Sequence, residues 1–560
     1  VDAMTAGSGA RGAGHGEETD GYRGSGMGNG EDAGARAGEY VSAAVAGDLR
    51  AAEAGAGVPA PVAGGERDGA TGAEGPSVAL RFRGRVAALG DDERRALCDR
   101  ATSSDVVVRE RTAAIVRRVR ADGDAALVAM AREFDGAELT PERLEVPRAE
   151  WRAALEDIDA GLRRAIERTI ANVRTVHAAF RPKATEVESE PGIVVGRRPD
   201  PLRRVGVYAP GGRAAYPSSV IMGVVPAKVA GVEEVVLCSP PGPDGLPSAV
   251  VLAAAALADV DRVFALGGAG AIAAMAYGTA HVPRVDRIVG PGNAYVAEAK
   301  VQVSSTCAID SPAGPSELLV IADHTADPVV VARELVAQAE HDPMAAVVCV
   351  AVGDETAEQV EAALADLVPN AERREIVEAA LAGQGAVLVA QTYDEAAAFA
   401  SDWAAEHPLP AIWGVEQERG RARVQNAGPG VLGETSSVAF GDYMTGANHV
   451  LPTGGLARSY SGLSTLDFVR WTTYQRVSPQ AAAKLAYDVG RFADAEGLPG
   501  HAAAARAWEK PRDGGRTRLK ARALRKRLRE IAAEAGGELL ELGEAPNDAG
   551  DGDGAGGTPR

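Results

Sequence analysis

The side chains of this chain that could do chemistry lie in four short polar clusters. Each cluster joins a histidine to a carboxylate or an amide nearby in the sequence: Gln338 with His341, Glu406 with His407, Asp442 with His449, and Glu496 with His501. Zinc prefers nitrogen and oxygen ligands of these types, and a catalytic zinc site leaves a position open for substrate. No compact HExxH motif is present, so the ligands would come from distant segments. The clusters indicate either a metal site or ordinary polar side chains.

Gln338 and His341 stand at the predicted end of a helix. The segment 327–341 has an acidic N-cap and then Pro328 at its first helical position, and it must stop before Pro343. A spacing of three places both side chains on one helix face, where an amide oxygen and an imidazole can reach a single metal ion or ligand. Taken alone, such a helix end is more often ordinary surface.

Short apolar strands alternate with helices from residue 203 onward. The predicted strands are 205–208, 234–237, 263–266, 287–289, 318–321 and 347–350, with helices at 248–258, 269–278 and 293–301. A further set has helices near 355–366 and 371–382, a strand at 386–389 and a helix at 394–405. This alternation predicts parallel sheets covered on both faces. We therefore expect an α/β fold: two incomplete Rossmann-like parallel-sheet domains with helical N-terminal and C-terminal arms.

Composition and patterning divide the chain into six expected parts. In order these are a disordered Gly- and Ala-rich leader at 1–80, a helical arm at 81–103, a first α/β domain at 104–207 and 317–464, a second α/β domain at 208–316, a helical tail at 465–510, and a charged disordered extension at 511–560. The leader has almost no periodic apolar pattern, which is typical of a segment that cannot bury a core. It also lacks the pattern of a secretory signal.

Glycine-rich turns follow several of the predicted strands, at 210–212, 267–270, 290–293 and 312–316. In parallel sheets, ligands bind at the carboxyl ends of strands, where glycines let backbone amides approach a phosphate or carboxylate. The spacing Gly268-x-Gly270-x-x-Ala273 imitates a dinucleotide fingerprint. However, Val289 and Gly290 stand at the end of the next strand, where a true fingerprint needs an acidic residue. Each turn is thus either a ligand loop or a simple tight turn.

The charge balance excludes several classes of function. A net charge of −19 disfavours general nucleic-acid binding, which needs a dense basic surface. One basic segment, 512–529, is expected to be a solvated helix or a partner-binding arm. No stretch of eighteen uncharged apolar residues is present, so we expect no membrane span. The cysteines are far apart and form no CxxC pair, which predicts a reduced, cytoplasmic protein: Cys98, Cys238, Cys307 and Cys349.

A set of motifs in fixed order gives these clusters a context. Between about residues 95 and 508 the chain resembles the histidinol dehydrogenase family through VGVYAPGG, GPGNAYVAEAK, DSPAGPSELLVIAD, QAEHDP, GDYMTGANHVLPTGG, SGLSTLDF and AEGLPGH. The combination is much more specific than any one motif.

The resemblance implies roles for particular side chains. It implies one Zn²⁺ per subunit, bound by Gln338, His341, Asp442 and His501. It implies that Glu406 and His407 form the catalytic pair. Substrate contacts are implied for the zinc ligands and His407, together with Ser316, His449 and Glu496. The NAD loops are implied in the segment 208–316, with contacts from Tyr208, Gly270 and Asn293.

The implied reaction is the oxidation of L-histidinol to its aldehyde and then to L-histidine with two NAD, the last steps of histidine biosynthesis. His407 would take the alcohol proton, and Glu406 would activate the water that adds to the aldehyde. The family resemblance also implies an intertwined homodimer, in which Glu496 and His501 serve the site of the other subunit.

Two departures from the family pattern and two other hypotheses accompany this interpretation. Gly270 stands where the family usually has a glutamine that meets NAD. Pro408 directly follows His407 and is expected to hold it in extended geometry. A related zinc- and NAD-dependent enzyme could oxidise another polar alcohol, such as a sulfonated diol. A non-catalytic binding protein of this fold is the remaining hypothesis, and keeping both Glu406 and His407 argues against it.

Overall fold

The computed structural model of the protein describes residues 78–100, 106–211, 215–412, 423–428, 430, 432–433, 435–509 and 526. These residues form two compact units. The first unit contains the described residues up to Ala179 and those of Arg203–Ser464. The second unit contains Phe180–Leu202 and the described residues from Thr465 onward. Within the described residues, no helix has the length and apolar content that crossing a membrane requires.

The strands of the described residues are, in chain order, β1 (Phe82–Arg85), β2 (Thr185–Glu190), β3 (Ile193–Pro201), β4 (Arg204–Tyr208), β5 (Glu234–Ser239), β6 (Arg262–Ala265), β7 (Arg287–Val289), β8 (Ala308–Ile309), β9 (Glu317–Ala322), β10 (Ala346–Val352), β11 (Gly385–Ala390), β12 (His407–Ala411) and β13 (Val469–Val477).

The α-helices of the described residues are α1 (Asp91–Cys98), α2 (Val106–Asp122), α3 (Asp124–Met130), α4 (Arg148–Asp157), α5 (Ala160–Ala179), α6 (Pro217–Ala230), α7 (Ala249–Leu257), α8 (Gly268–Tyr277), α9 (Ala294–Val303), α10 (Pro328–Ala339), α11 (Asp354–Leu367), α12 (Arg374–Gln384), α13 (Tyr393–Trp403), α14 (Val438–Tyr443), α15 (Pro479–Ala495) and α16 (Pro499–Arg506).

The first sheet has five parallel strands in the order β1-β11-β10-β9-β12. Its central strand β10 reads AVVCVAV and is buried along almost its whole length, because helices cover both faces. Residues of α10, α11 and α12 fill the core on one face, and Phe399 and Trp403 of α13 pack on the other.

The second sheet also has five parallel strands, in the order β6-β5-β4-β7-β8. Helix α6 is apolar on all sides and almost completely buried, as expected of a helix enclosed by its neighbours. Helix α5 packs against α6, α4 against α7, and α2 against α8 and α9. The two parallel sheets confirm the predicted α/β fold class.

The second unit is built on a three-stranded antiparallel sheet in the order β13-β3-β2. Helices α15 and α16 follow this sheet in the chain and pack against each other. The guanidinium of Arg197 lies 3.7 Å from the ring centroid of Trp471, a cation–π contact between β3 and β13.

The structure differs from the expected segment boundaries at several points. The expected helical arm at 81–103 begins with β1, an edge strand too short to show a periodic pattern. The expected boundary at 207 and 208 cuts β4, the central strand of the second sheet. The hairpin at 185–201, assigned to the first domain, belongs to the second unit, because it pairs with β13. This partner lies almost 300 residues away in the chain, so the sequence pattern does not reveal the pairing. The expected helical tail at 465–510 likewise begins with a strand.

The expected leader and extension fall almost entirely outside the described residues. Of the leader, only residues 78–80 are described, and Leu80 is buried against the core of the first sheet. The segment 512–529 is outside the described residues except for Lys526.

Substitution of Gly290 tests the backbone conformation and the close packing of the turn after β7. Its φ is +116°, and a Cβ at this position would overlap the carbonyl oxygen of Tyr208. Gly353 has a similar φ of +101° but no atom within 4 Å of the corresponding Cβ. We expect Gly353→Ala to cost about 1–3 kcal/mol from backbone strain alone. Gly290→Ala should cost a further 1–3 kcal/mol, roughly, from the overlap.

The thermal unfolding midpoints of the two variants and the parent protein check this expectation. Gly290→Ala should unfold at the lowest temperature of the three. Equal midpoints for the two variants would contradict the close approach of Gly290 to Tyr208.

Candidate active site

Glu406 and His407 lie at a sharp change of chain direction between α13 and β12. Helix α13 ends at Trp403, and Ala404 adopts the left-handed region with a φ of +55°. This conformation costs a non-glycine residue about 1 kcal/mol, so the surrounding packing must enforce it. His407 then begins β12, paired with Leu318 of β9. The extended geometry predicted from Pro408 is therefore present, and β12 is an edge strand, where proline is tolerated.

The Glu406 carboxylate is buried and is held by the backbone of another strand. Its Oε2 accepts a hydrogen bond of 2.7 Å from the backbone N–H of Glu317, the first residue of β9. Burial raises the pKa of Glu406 well above its usual value, and the nearby carboxylates of Glu317 and Asp442 raise it further. The hydrogen bond from Glu317 opposes this shift but does not overcome it. Burial therefore favours the protonated form of Glu406.

The pKa of His407 is shifted in the opposite direction, downward. Burial lowers its pKa to about 3, and the neighbouring imidazoles of His449 and His341 act in the same sense. Its Nε2 lies 3.9 Å from Oε1 of Glu406 and 3.9 Å from Oδ1 of Asp442. These distances are too long for hydrogen bonds, but one hydroxyl group could contact Nε2 and a carboxylate oxygen together. The ring is thus a neutral proton acceptor with carboxyl oxygens beside it.

Gln338 and His341 have the positions expected from the sequence. Asp327 caps α10 through a 2.8 Å hydrogen bond from the N–H of Val329, and Gln338 is buried in the last turn. His341 follows the helix end, and burial lowers its pKa. The helix spans Pro328–Ala339, so it ends two residues earlier than the predicted 327–341, and His341 lies just beyond it.

Asp442 brings an unsatisfied oxygen to the same cluster. It lies on α14, and its buried Oδ1 has no hydrogen-bond partner among the described residues. Burial raises its pKa to about 7, and the nearby Glu334 adds to the shift. A buried carboxylate oxygen without a partner is costly unless a cation or a donor completes it.

The donor set therefore fits a zinc ion in chemistry, with a carboxylate oxygen, a neutral imidazole and a buried amide. The described residues do not complete a shell, since no three of their His, Cys, Asp or Glu side chains are grouped so as to hold a metal ion. Of the four expected ligands, Gln338 is an amide and so lies outside these residue types, and His501 belongs to the second unit.

His449 and Ser316 also belong to the first unit. His449 is close to Asp442, with its Nδ1 3.0 Å from the Asp442 backbone oxygen, and burial lowers its pKa to about 4. Ser316 directly precedes β9, and its backbone oxygen accepts a hydrogen bond from the N–H of Ala346. By contrast, Glu496 at the end of α15 and His501 in α16 are exposed residues of the second unit.

The three expected NAD residues have structural tasks in the second sheet. The buried Tyr208 hydroxyl accepts a 3.0 Å hydrogen bond from the N–H of Gly268, and burial raises its pKa. Asn293 caps α9 by accepting hydrogen bonds of 3.1 Å from the N–H groups of Tyr295 and Val296.

Gly270 has a packing role inside a helix. It is buried within α8, and a Cβ there would lie 3.1 Å from the Met130 sulfur. Glycine at this position therefore permits close packing of α8 on α3.

The glycine-rich turns and the pair of Glu406 and His407 lie at different edges of the two parallel sheets. The glycine-rich turns follow β4, β6 and β7 at the carboxyl edge of the second sheet, as expected. Glu406 and His407 instead lie at the amino edge of the first sheet, where His407 begins β12. Because α10 runs opposite to β9, its end also returns to this amino edge. The segment 310–316 joins the two edges directly.

Sequence reasoning missed two buried ion pairs behind these edges. Arg100 pairs with Glu317 at the start of β9, and Lys300 pairs with Asp310 after β8. Lys300 also donates a 3.0 Å hydrogen bond to the carbonyl of Gly290, which ties the glycine turn to the 310–316 segment. The only signal in the sequence was a lysine within the otherwise mainly apolar run of α9; nothing local marks Arg100.

Two parallel sheets, one with glycine turns at its carboxyl edge and the other with a buried acid–base pair at its amino edge, are the features of an α/β enzyme. A family model described as histidinol dehydrogenase matches residues 98–508. The chain therefore belongs to the histidinol dehydrogenase family, and so to the oxidoreductases.

Individual relatives agree with this assignment. Histidinol dehydrogenase of Methanosarcina mazei is 44% identical over 401 residues, which cover 71% of this chain and 92% of the relative. Histidinol dehydrogenase of Natronomonas pharaonis is 47% identical over 418 residues, covering 74% and 97%. The crystal structure of histidinol dehydrogenase from Elizabethkingia anophelis matches with a TM-score of 0.72 at 31% identity, covering 77% of this chain and 98% of that one.

The low pKa of His407 predicts how stability depends on pH in protein stripped of metal. Below about pH 6.5 the unfolded chain binds a proton at His407 that the folded chain rejects down to about pH 3. Stability is thus lost as pH falls, by at most about 1.4 kcal/mol per pH unit. His407→Asn removes this term.

We expect His407→Asn to gain stability relative to the parent protein by roughly 1 kcal/mol between pH 6.5 and 5.5. Urea unfolding at the two pH values measures the difference. His324→Asn, at an exposed histidine, is the control and should show no such change. A difference that is independent of pH for His407→Asn would contradict the buried neutral imidazole.

Proposed function

We propose that the chain oxidises L-histidinol to L-histidine through the aldehyde, in two successive oxidations, as the last steps of histidine biosynthesis. The observation that carries the proposal is the buried pair of Glu406 and His407 beside the unsatisfied Asp442 oxygen. Membership of the histidinol dehydrogenase family supports the choice of substrate.

His407 acts first, on the alcohol. Its lowered pKa keeps the imidazole neutral at pH 7, so that Nε2 can accept the proton of the substrate hydroxyl. The Glu406 oxygen 3.9 Å away favours the imidazolium when it is ionised, because opposite charges at this distance stabilise each other. The pair therefore offsets the weak basicity that burial gives to a lone imidazole.

Glu406 acts in the second oxidation. Its carboxylate removes a proton from the water that adds to the aldehyde carbon. Burial disfavours the ionised carboxylate and thereby makes it a stronger base for water once its own proton has left. The 2.7 Å hydrogen bond from the Glu317 N–H holds Oε2, so Oε1 is the oxygen turned toward His407.

Zinc and NAD are the cofactors of this proposal. Bound zinc would orient the amine and imidazole of the substrate, and NAD would accept a hydride in each oxidation. Gln338, His341 and Asp442 of the first unit would hold the zinc together with His501. Glycine turns at the carboxyl edge of the second sheet would bind NAD. The hydrogen bonds of Tyr208 and Asn293 would hold these turns in shape.

The assembly that we propose is a homodimer in which Glu496 and His501 complete the site of the other subunit. Exposed aromatic side chains on α15 support this arrangement, since Tyr487 is 62% and Phe492 75% exposed. We place the enzyme in the cytoplasm, in keeping with its four free thiols.

Turnover of L-histidinol tests the reaction directly. Purified protein with L-histidinol and NAD should form two NADH per substrate molecule, measured by absorbance against product. Chelation should abolish turnover because the substrate loses its anchor, and added zinc should restore it. Turnover of another polar alcohol alone, such as a sulfonated diol, would contradict the proposed substrate.

Two substitutions should separate the metal site from the catalytic pair. His341→Ala should lose bound zinc, whereas Glu406→Gln should keep it and oxidise the aldehyde about 10² to 10⁴ times more slowly. Metal analysis and separate assays of the alcohol and the aldehyde provide the readouts. His324→Ala is the matched control and should match the parent in both. Full zinc content in His341→Ala would remove this residue from the ligand set.

A further inference from the structure

We propose that Arg100 is a positioning residue for Glu406, and that it acts through Glu317 and Trp403. This inference rests on the proposed role of Glu406 in the second oxidation. Arg100 lies just beyond α1, far from His407 in the sequence, and does not itself belong to the acid–base pair. Its guanidinium and the Glu317 carboxylate are among the most deeply buried charges of the first unit, with side chains 4% and 3% exposed.

The first connection runs through Glu317. Nε and Nη2 of Arg100 donate hydrogen bonds of 2.8 and 3.1 Å to the two oxygens of the Glu317 carboxylate. The N–H of Gly454 donates a further bond of 2.8 Å to Oε1. With its side chain held from two directions, the backbone of Glu317 is fixed at the start of β9. The N–H of that same residue donates the 2.7 Å hydrogen bond to Glu406.

The second connection runs through Trp403, which lies three residues before Glu406. Nη2 of Arg100 donates a 2.8 Å hydrogen bond to the Trp403 carbonyl, and the guanidinium lies 3.6 Å from the centroid of the Trp403 ring. The indole N–H donates in turn to the carbonyl of Leu97. Arg100 thus fixes the helix end from which the chain turns, through the left-handed Ala404, into the catalytic pair.

Only arginine can make both connections at once. Its planar fork donates to a carboxylate at two points and leaves a further N–H for the carbonyl, while its flat face stacks on the indole. Lysine would keep the charge as a single point without the fork. The charge matters too, because a Glu317 carboxylate without its partner would be a second uncompensated negative charge close to Glu406.

The variants follow from this geometry. Arg100→Met leaves Glu317 buried and unpaired and could prevent folding, so the test uses two gentler changes. Arg100→Lys keeps the charge but loses the fork. The double variant Arg100→Met with Glu317→Gln removes both charges and keeps an oxygen for the Gly454 N–H. Arg85→Met is the matched control. Arg85 lies in β1 of the same sheet and forms an exposed ion pair with Asp354 of α11.

We expect both test variants to fold and to bind zinc, yet to oxidise the aldehyde about 10- to 100-fold more slowly at saturating substrate. The KM for NAD should not change, and oxidation of the alcohol should fall less. Arg100→Lys should keep more activity than the double variant. Arg85→Met should behave as the parent. Crystal structures should show the Glu406 carboxylate displaced from the Glu317 N–H in both test variants.

The outcomes separate this inference from the proposed function. If the parent protein oxidises histidinol and both folded variants keep the parental aldehyde rate, Arg100 is not a positioning residue. A parallel loss of the alcohol rate, the aldehyde rate and zinc would also overturn the inference, since that is the result of general structural damage. If the parent shows no turnover, the proposed function fails, and an undisplaced Glu406 in the variant structures would then refute the positioning role independently.

Discussion

Burial of the polar side chains at the amino edge of the first sheet is the constraint on which this site depends. It raises the pKa of Glu406, lowers the pKa of His407 to about 3 and raises that of Asp442 to about 7. Each shift favours the uncharged form of its side chain, as burial demands. Oxidation of an alcohol in such a site needs a neutral proton acceptor, and desolvation supplies one at His407. The buried Asp442 oxygen still has no hydrogen-bond partner among the described residues, which is energetically unfavourable, and a bound cation would stabilise it.

A short segment joins this edge to the carboxyl edge of the second sheet. The segment 310–316 leaves the carboxyl end of β8 and enters the amino end of β9, and buried ions secure it at both ends. Lys300 and Asp310 tie its start to the turn at Gly290, while Arg100 and Glu317 fix its exit. Buried ion pairs are weak evidence for stability, since desolvation offsets much of their attraction. Here their geometry suggests specificity: they determine where two loops lie.

Much of the architecture could be predicted from the sequence because it is locally encoded. The apolar runs of β5, β9 and β10 and the capped helix α10 appear near where their patterns place them. Edge strands were harder to predict. β1 is only four residues long and β2 is exposed along its whole length. The pairing of β3 with β13 joins segments far apart in the chain, so it leaves no local signal. Packing inside the second sheet's helices was also beyond the sequence, which could not tell that Gly270 lies against Met130.

By itself the sequence determined which side chains are available for chemistry and the local elements that carry them. The spacing of Gln338 and His341 at a capped helix end and the adjacency of Glu406 and His407 are properties of the chain alone. Tertiary structure decided their protonation states, the edge of the sheet on which they meet, and the support of Glu406 by Arg100 through Glu317. The physical reason is that burial and ion pairing depend on neighbours brought together from distant segments, and these contacts leave no periodic trace along the chain.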